Sequence, residues 1–216
     1  MKTCIITGAL EADLSKIKKE KDDIVIAADR GYLNLTKYNI TPDIILGDFD
    51  SLGYIPETEK ESLIVFPERK DDTDTLLAVK EGLKRGYTQF LIYGCLGGRL
   101  DQTIASVQSA AYIDCKKCTS VFIGDEYSLT VISDGSISFS EECKGKISVF
   151  AYGGDAKEVY IKGLSYTLNN YVLKTNEPLG VSNEFTGEEA SIYCKNGALL
   201  VIWQTPGNTI KEIKHF

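Results

Sequence analysis

The sequence predicts an α/β domain with a mainly parallel sheet, followed by an all-β sandwich domain, with the change near residue 125. Two observations predict this. Up to Ile123, short apolar runs alternate with helical patterns, the order that builds parallel strands joined by crossover helices. Beyond Gly124 the periodicity falls to two, and the apolar segments are separated by Gly, Asn and Asp turns. The expected domains are residues 1–125 and 126–216, joined without a linker of biased composition.

In the first domain, Cys4 to Thr7, Ile24 to Ala28, Asp43 to Leu46, Leu63 to Phe66, Phe90 to Tyr93 and Ser120 to Ile123 read as strands. The clearest helices are Asp74 to Arg85, where Leu76, Leu77, Val79, Lys80 and Leu83 form a one-sided stripe, and Leu100 to Ile113. In the second domain, Lys146 to Ala151, Glu158 to Ile161, Ser165 to Tyr171, Ala190 to Cys194 and Leu199 to Trp203 read as strands. Gly153-Gly154, Asn169-Asn170 and Asn196-Gly197 are expected to be hairpin turns, which at this spacing suits a sandwich or partly open barrel.

With 216 residues and 43% hydrophobic composition, the chain can bury substantial cores. Its 24 basic and 31 acidic residues give a net charge of -7, the wrong sign for neutralising a nucleic-acid backbone. No apolar run approaches the roughly 20 residues of a membrane span, and Glu11 and Asp13 interrupt the apolar start too early for a secretory signal. A cytoplasmic protein is expected, with its six cysteines reduced. Cys115 and Cys118 form one C-x-x-C pair with no second pair or nearby histidine to complete a metal site, so ordinary thiols are the simpler reading. The single histidine, His215, is penultimate and expected to fray, which leaves no support for histidine-based chemistry.

Three acidic segments stand just after expected strand ends, where open α/β sheets bind ligands. In Gly47-Asp48-Phe49-Asp50-Ser51, an extended backbone would turn Asp48 and Asp50 to one side, where their repulsion suits a bridging magnesium ion; a turn bonded to local amides is the alternative. In Lys70-Asp71-Asp72-Thr73-Asp74, Asp72 or Thr73 can cap the following helix, while Asp71 and Asp74 would face a shared ion from its first turn. In Gly94-Cys95-Leu96-Gly97-Gly98-Arg99-Leu100-Asp101, glycine amides and the Arg99 fork suit phosphate oxygens, against the alternative of a tight strand-to-helix turn. Neither G-x-x-x-x-G-K-[ST] nor G-x-G-x-x-G occurs. Acids for magnesium, with amides and an arginine for phosphate, are the parts that phosphoryl or pyrophosphoryl transfer needs.

Taken together, Ala28-Asp29-Arg30-Gly31, Pro42-Asp43, Gly47 to Ser51, Lys70 to Asp74 and Gly97-Gly98-Arg99-Leu100-Asp101 resemble the motifs of thiamine pyrophosphokinases in order and approximate spacing. Leu179-Gly180-Val181-Ser182-Asn183-Glu184 resembles the family's thiamine-side motif, so the resemblance spans nearly the whole chain. It implies transfer of pyrophosphate from ATP to thiamine, giving thiamine diphosphate and AMP. It also implies a homodimer, with the acceptor pocket between the α/β domain of one subunit and the β domain of the other.

By matched position, Asp48, Asp50, Asp71 and Asp74 would hold Mg²⁺, with Asp71, Asp74, Arg99 and Asp101 serving catalysis. Asp29, Arg30, Gly97, Gly98, Arg99 and Gln102 would bind ATP. Asp101 would face either the metal or the acceptor hydroxyl. Gln102 stands where many members carry histidine; it can orient a hydroxyl but cannot take its proton, so an aspartate must serve any base step. Ser182, Asn183 and Glu184 would contact thiamine, and Trp203 would either stack on it or fill the core. The alternatives are a pyrophosphokinase for another hydroxymethyl heterocycle such as a pterin, and a non-catalytic nucleotide or thiamine sensor.

Overall fold

The computed structural model describes residues 2–49, 54, 62–67, 71–208 and 210–215, which form twelve strands and three helices. Two compact units result: Met1–Ser109 with Ser120–Gly124, and Ala110–Thr119 with Asp125–Phe216.

In the first unit, strands β1 (Thr3–Thr7), β2 (Ile24–Ala28), β3 (Ile44–Gly47), β4 (Leu63–Val65), β5 (Gln89–Tyr93) and β6 (Thr119–Ile123) lie in the order β6-β5-β1-β2-β3-β4. The pairings of β1 with β2 and β5, of β2 with β3 and of β3 with β4 are parallel. Strands β2 and β3 are buried at every position, which explains why they read as unbroken apolar runs rather than alternating ones. Leu14, Leu35 and Phe49 join Ile5, Val25, Ala27, Ile45 and Tyr93 in one core cluster. From β1 the chain moves outward through β2, β3 and β4, then returns to β5 on the other side of β1. That reversal between β1 and β5 opens a crevice at the strand C-termini.

Helices α1 (Gly31–Lys37), α2 (Asp74–Lys84) and α3 (Leu100–Cys115) follow β2, β4 and β5. Helix α2 starts at Asp74 because Thr73 is extended and its Oγ1 accepts the Leu76 amide at 3.2 Å. Thr73 is therefore the cap, and Asp71 precedes it rather than sharing the first turn with Asp74. Asp72 pairs with Lys80 at 2.6 Å. Among the described residues no helix is long and apolar enough to cross a membrane.

The second unit contains β7 (Tyr127–Phe139), β8 (Lys146–Lys162), β9 (Leu168–Leu173), β10 (Asn183–Glu184), β11 (Ala190–Gln204) and β12 (Ile210–His215). Its pairings are antiparallel: β11 lies between β7 and β8, β12 adds to β7, and β9 and β10 add to β8. The expected hairpins are absent. Lys146 to Ala151 and Glu158 to Ile161 belong to one strand, β8, and Ala190 to Cys194 and Leu199 to Trp203 to one strand, β11. Gly153-Gly154 and Asn196-Gly197 form an irregularity where those strands meet, since Ala198 pairs with Tyr152 and Asn196 with Lys157. Residues 153–156 thus oppose Gly197 alone, a bulge that bends both strands without reversing them. Asn169-Asn170 lies inside β9, with Asn170 at φ 49°.

His215 does not fray. It ends β12 opposite Gly135, with a side chain 13% exposed, Nδ1 3.5 Å from Asp114 Oδ1 and Nε2 3.2 Å from the Cys118 carbonyl. Asp114 is itself 2% exposed and accepts hydrogen bonds from the amide and hydroxyl of Ser133. The pairing of β12 with β7 and this buried polar contact anchor the terminus.

Candidate active site

The register of the parallel sheet brings its loops to one edge. Thr7 pairs with Tyr93 and Ala27, and Ala28 with Leu46, so β1, β2, β3 and β5 all finish within two residues of one another. Beyond them lies a cleft of about 480 Å³. Its walls are Gly8 to Leu10 after β1, Ala28 to Arg30 after β2, Thr73 to Thr75 at the start of α2, and Gly94, Cys95, Gly97 and Arg99 after β5. Gln102 and Ser106 of α3 complete the lining. Asp29, Arg30, Gly97, Arg99 and Gln102, the described residues expected to bind ATP that line it, therefore share one cavity with Asp74.

Asp29 is 8% exposed and has a left-handed backbone at φ 48°. Its amide bonds the Leu46 carbonyl at 2.7 Å, and a side chain on Gly47 would stand 3.1 Å from Asp29 Cα. This close packing fixes the turn that carries the carboxylate to the cleft. Gly31 follows two residues later: a Cβ there would lie 1.9 Å from the Thr7 carbonyl, so only glycine lets α1 start against the end of β1.

The loops after β1 and β5 are tied together. Gly8 N donates to Tyr93 O at 2.7 Å and Leu10 N to Gly94 O at 2.9 Å. Gly94 has φ 68°, and a Cβ there would come within 2.5 Å of the Leu10 carbonyl. Ser106 Oγ bonds Cys95 O at 2.7 Å, fastening α3 to the same loop. Cys95 is 7% exposed beside Thr75 Oγ1, and burial pushes its thiol up to about 11, so it stands in the wall as a neutral thiol.

Arg99 and Asp101 pair with each other. Arg99 Nε reaches Asp101 Oδ1 at 3.1 Å and its NH2 reaches Oδ2 at 2.6 Å. That hydrogen bond lowers the Asp101 carboxyl below its usual range and raises Arg99. The side chains remain 74% and 64% exposed, so the guanidinium has room to turn to a phosphate. Gly97 N donates to Thr103 Oγ1 at 3.3 Å, a bond an incoming phosphate would have to displace. Gly98 is exposed at φ 61° beside it.

Among the carboxylates expected to hold metal, Asp74 lines the cleft, Asp48 is half-buried at the end of β3, and Asp71 is exposed ahead of the α2 cap. Asp50 lies outside the described residues. The extended geometry expected between Asp48 and Asp50 does not hold at Phe49, which turns left-handed at φ 59° and buries its ring in the core. Among the described residues no three acidic, histidine or cysteine side chains gather to hold a cation alone. Carboxylate oxygens nevertheless suit Mg²⁺, which commonly takes one or two from protein and the rest from phosphate and water.

The residues expected to contact thiamine divide. Asn183 is 4% exposed, and its amide holds Tyr166 as a strand would, accepting from Tyr166 N at 2.9 Å and donating to Tyr166 O at 2.7 Å. Its polar atoms serve the fold. Ser182 and Glu184 on either side are exposed. Trp203 is 3% exposed and packs edge-on against Phe139, their centroids 5.4 Å apart, so it is a core residue with no open face for a ligand.

One residue escaped the sequence reading. Asn34 of α1 is 5% exposed, and its Nδ2 donates to Gly8 O at 3.0 Å and Leu10 O at 2.6 Å. No motif marks it; the signal was a polar residue on the face of a short helix that Gly31 presses against β1.

Two family models match the chain in order: the thiamin pyrophosphokinase catalytic domain over residues 16–123, and the thiamin pyrophosphokinase vitamin B1 binding domain over residues 135–199. The thiamine pyrophosphokinase of Bacillus subtilis (strain 168) is 28% identical over 189 residues, which is 83% of this chain and 86% of that protein. A crystal structure of thiamine pyrophosphokinase from Bacillus subtilis is similar at TM-score 0.82 and 25% identity, over 95% of this chain and 100% of the other. That of thiamin pyrophosphokinase from Geobacillus thermodenitrificans shares the fold at TM-score 0.77 and 22% identity, over 95% of this chain and 97% of the other.

Proposed function

The chain belongs to the thiamine pyrophosphokinase family, and from that premise we propose that it transfers the β,γ-pyrophosphoryl group of ATP to the hydroxyl of thiamine, giving thiamine diphosphate and AMP. The observation that carries this reading is the match of one chain to both the catalytic and the vitamin B1 binding patterns. The pterin and sensor alternatives have no counterpart among these matches.

The acceptor oxygen attacks the β-phosphorus, the bond from that phosphorus to the α,β-bridging oxygen breaks, and AMP departs with the electron pair. ATP phosphates would lie in the cleft at the ends of β1, β2 and β5, with Arg30 and Arg99 as cationic partners. Asp48, Asp50, Asp71 and Asp74 would hold Mg²⁺, which when bound neutralises charge on the polyphosphate. The hydroxyl proton passes to a carboxylate, because the ring of the single histidine is engaged with the Cys118 carbonyl and Asp114, and Gln102 can orient the hydroxyl but not take its proton. The low proton affinity of Asp101 beside Arg99 suits orienting that hydroxyl better than holding its proton. Ser182 and Glu184 would contact the heterocycle, with Asn183 fixing the strand between them.

A homodimer in the cytoplasm completes the reading, supported by family resemblance and by six free cysteines. The test is incubation with ATP, Mg²⁺ and a panel of acceptors including thiamine and a hydroxymethylpterin, followed by separation of nucleotides. AMP formed one-for-one with thiamine diphosphate supports the proposal. ADP as the product, or a pterin used while thiamine is ignored, refutes it.

A further inference from the structure

Gly8, Ala9 and Leu10 form one wall of the cleft, yet they carry no charge and match none of the motifs that marked the other walls. Their main-chain groups are unevenly engaged. Gly8 N and Leu10 N are bound to Tyr93 O and Gly94 O, while Gly8 O and Leu10 O both accept from the Asn34 side chain. Two carbonyl acceptors on one atom identify that atom as the amide nitrogen of Asn34, since a side-chain oxygen there would face both oxygens. The loop is thus fastened at both ends and on both sides. Ala9 between those ends is exposed, and its amide has no partner among the described residues.

Asn34 reaches the loop because it stands one turn beyond Gly31, whose missing side chain lets α1 abut the Thr7 carbonyl. Its donor contacts are buried or half-buried, so losing them leaves two carbonyls without their partner.

We propose that Ala9 N–H is a phosphate-binding donor for the nucleotide and that Asn34 is the positioning residue that holds it toward the cleft. This deepens the ATP reading above and rests on it. An amide in a loop whose neighbouring residues are tied by four hydrogen bonds loses little entropy when an anion arrives, which is how an uncharged loop gains affinity for phosphate.

The experiment measures ATP binding by calorimetry together with steady-state KM values, in the wild type and three variants. Asn34→Ala frees the loop, Ala9→Pro deletes the amide hydrogen, and Ala9→Gly retains it. Loss of one hydrogen bond to a charged group weakens ATP binding about tenfold to a hundredfold. The expected pattern is that Ala9→Pro and Asn34→Ala raise the ATP Kd and KM by at least about tenfold while KM for thiamine stays within about twofold; Ala9→Gly stays near wild type. Circular dichroism and melting curves identify any variant that fails to fold, and the Ala9 pair on the exposed loop then carries the decision. Equal ATP affinity in Ala9→Pro and Ala9→Gly overturns the proposal, as does a parallel rise of both KM values in Asn34→Ala. A wild-type protein that binds ATP tightly but makes no thiamine diphosphate would instead refute the assigned reaction, leaving the affinity comparison intact.

Discussion

Replacing Trp203 separates packing from ligand binding. The ring is 3% exposed on β11, with Ser128 and Ile147 as register partners and Phe139 edge-on at 5.4 Å and 68°. Phe139 in turn packs against Phe185 at 5.3 Å, so the tryptophan closes a row of three aromatic rings. Trp203→Ala removes the whole side chain from a site held by two neighbouring strands, and a cost of about 3–5 kcal/mol is expected, of which the aromatic contact supplies about 0.5–1.5. For a chain of this size that lowers Tm by about 6–20 °C. Trp203→Leu refills part of the space and costs less, but it also abolishes any π face. The assay pairs urea or thermal unfolding with thiamine KM in Trp203→Leu. A core residue gives lower stability with KM within about twofold of wild type, whereas a cation–π partner would lose about 0.5–2 kcal/mol and raise KM by about two- to thirtyfold. Wild-type stability in Trp203→Leu with a tenfold rise in thiamine KM would refute the core assignment.

Thiol titration at pH 8 is expected to find one fast-reacting cysteine, Cys115, because the other five are buried and burial holds the Cys95 and Cys194 thiols near 11; rapid labelling of Cys95 would contradict the neutral-thiol wall. Arg99→Gln should raise the Asp101 carboxyl back toward the ordinary aspartate range, as followed by carbon-detected NMR. The sign follows from the pair: Arg99 depresses the folded-state value, so its stabilisation holds above the ordinary carboxylate range and fades as pH falls through the depressed value. An unchanged Asp101 titration would show the pair absent in solution. Asp74→Asn should cut kcat by at least about a hundredfold with a Tm change of a few degrees at most, since Thr73 rather than Asp74 caps α2; an unfolded but fully active variant would assign Asp74 to the helix.

Strands β2 and β3 were legible because both are buried at every position and therefore written as compact apolar runs, from Ile24 to Ala28 and from Ile44 to Gly47. The start of α2 was legible because Asp72 and Thr73 both carry the chemistry of a cap, and the structure assigns that role to Thr73. The bends of β8 and β11 were not: Gly153-Gly154 and Asn196-Gly197 carry the same residues as hairpin turns, and only the register of the neighbouring strands distinguishes a bulge from a reversal. Seven-residue α1 is too short to display a period, which hid Asn34. Gathering Asp29, Asp74, Arg99 and Gln102 in one cleft followed from strand order, where the motifs lie at strand ends. The engaged side chain of Asn183 and the buried ring of Trp203 depend on pairing with segments far away in sequence, such as Tyr166 and Phe139.

The most direct measurement is a crystal structure with α,β-methylene-ATP, Mg²⁺ and thiamine, in which the unreactive bridge holds the triphosphate intact. The account predicts the phosphates between Gly8 to Leu10 and Gly97 to Arg99, with Asp74 facing the cation and the thiamine oxygen in line with the β-phosphorus. A triphosphate seated away from that cleft, or a thiamine oxygen directed at the γ-phosphorus, would contradict it.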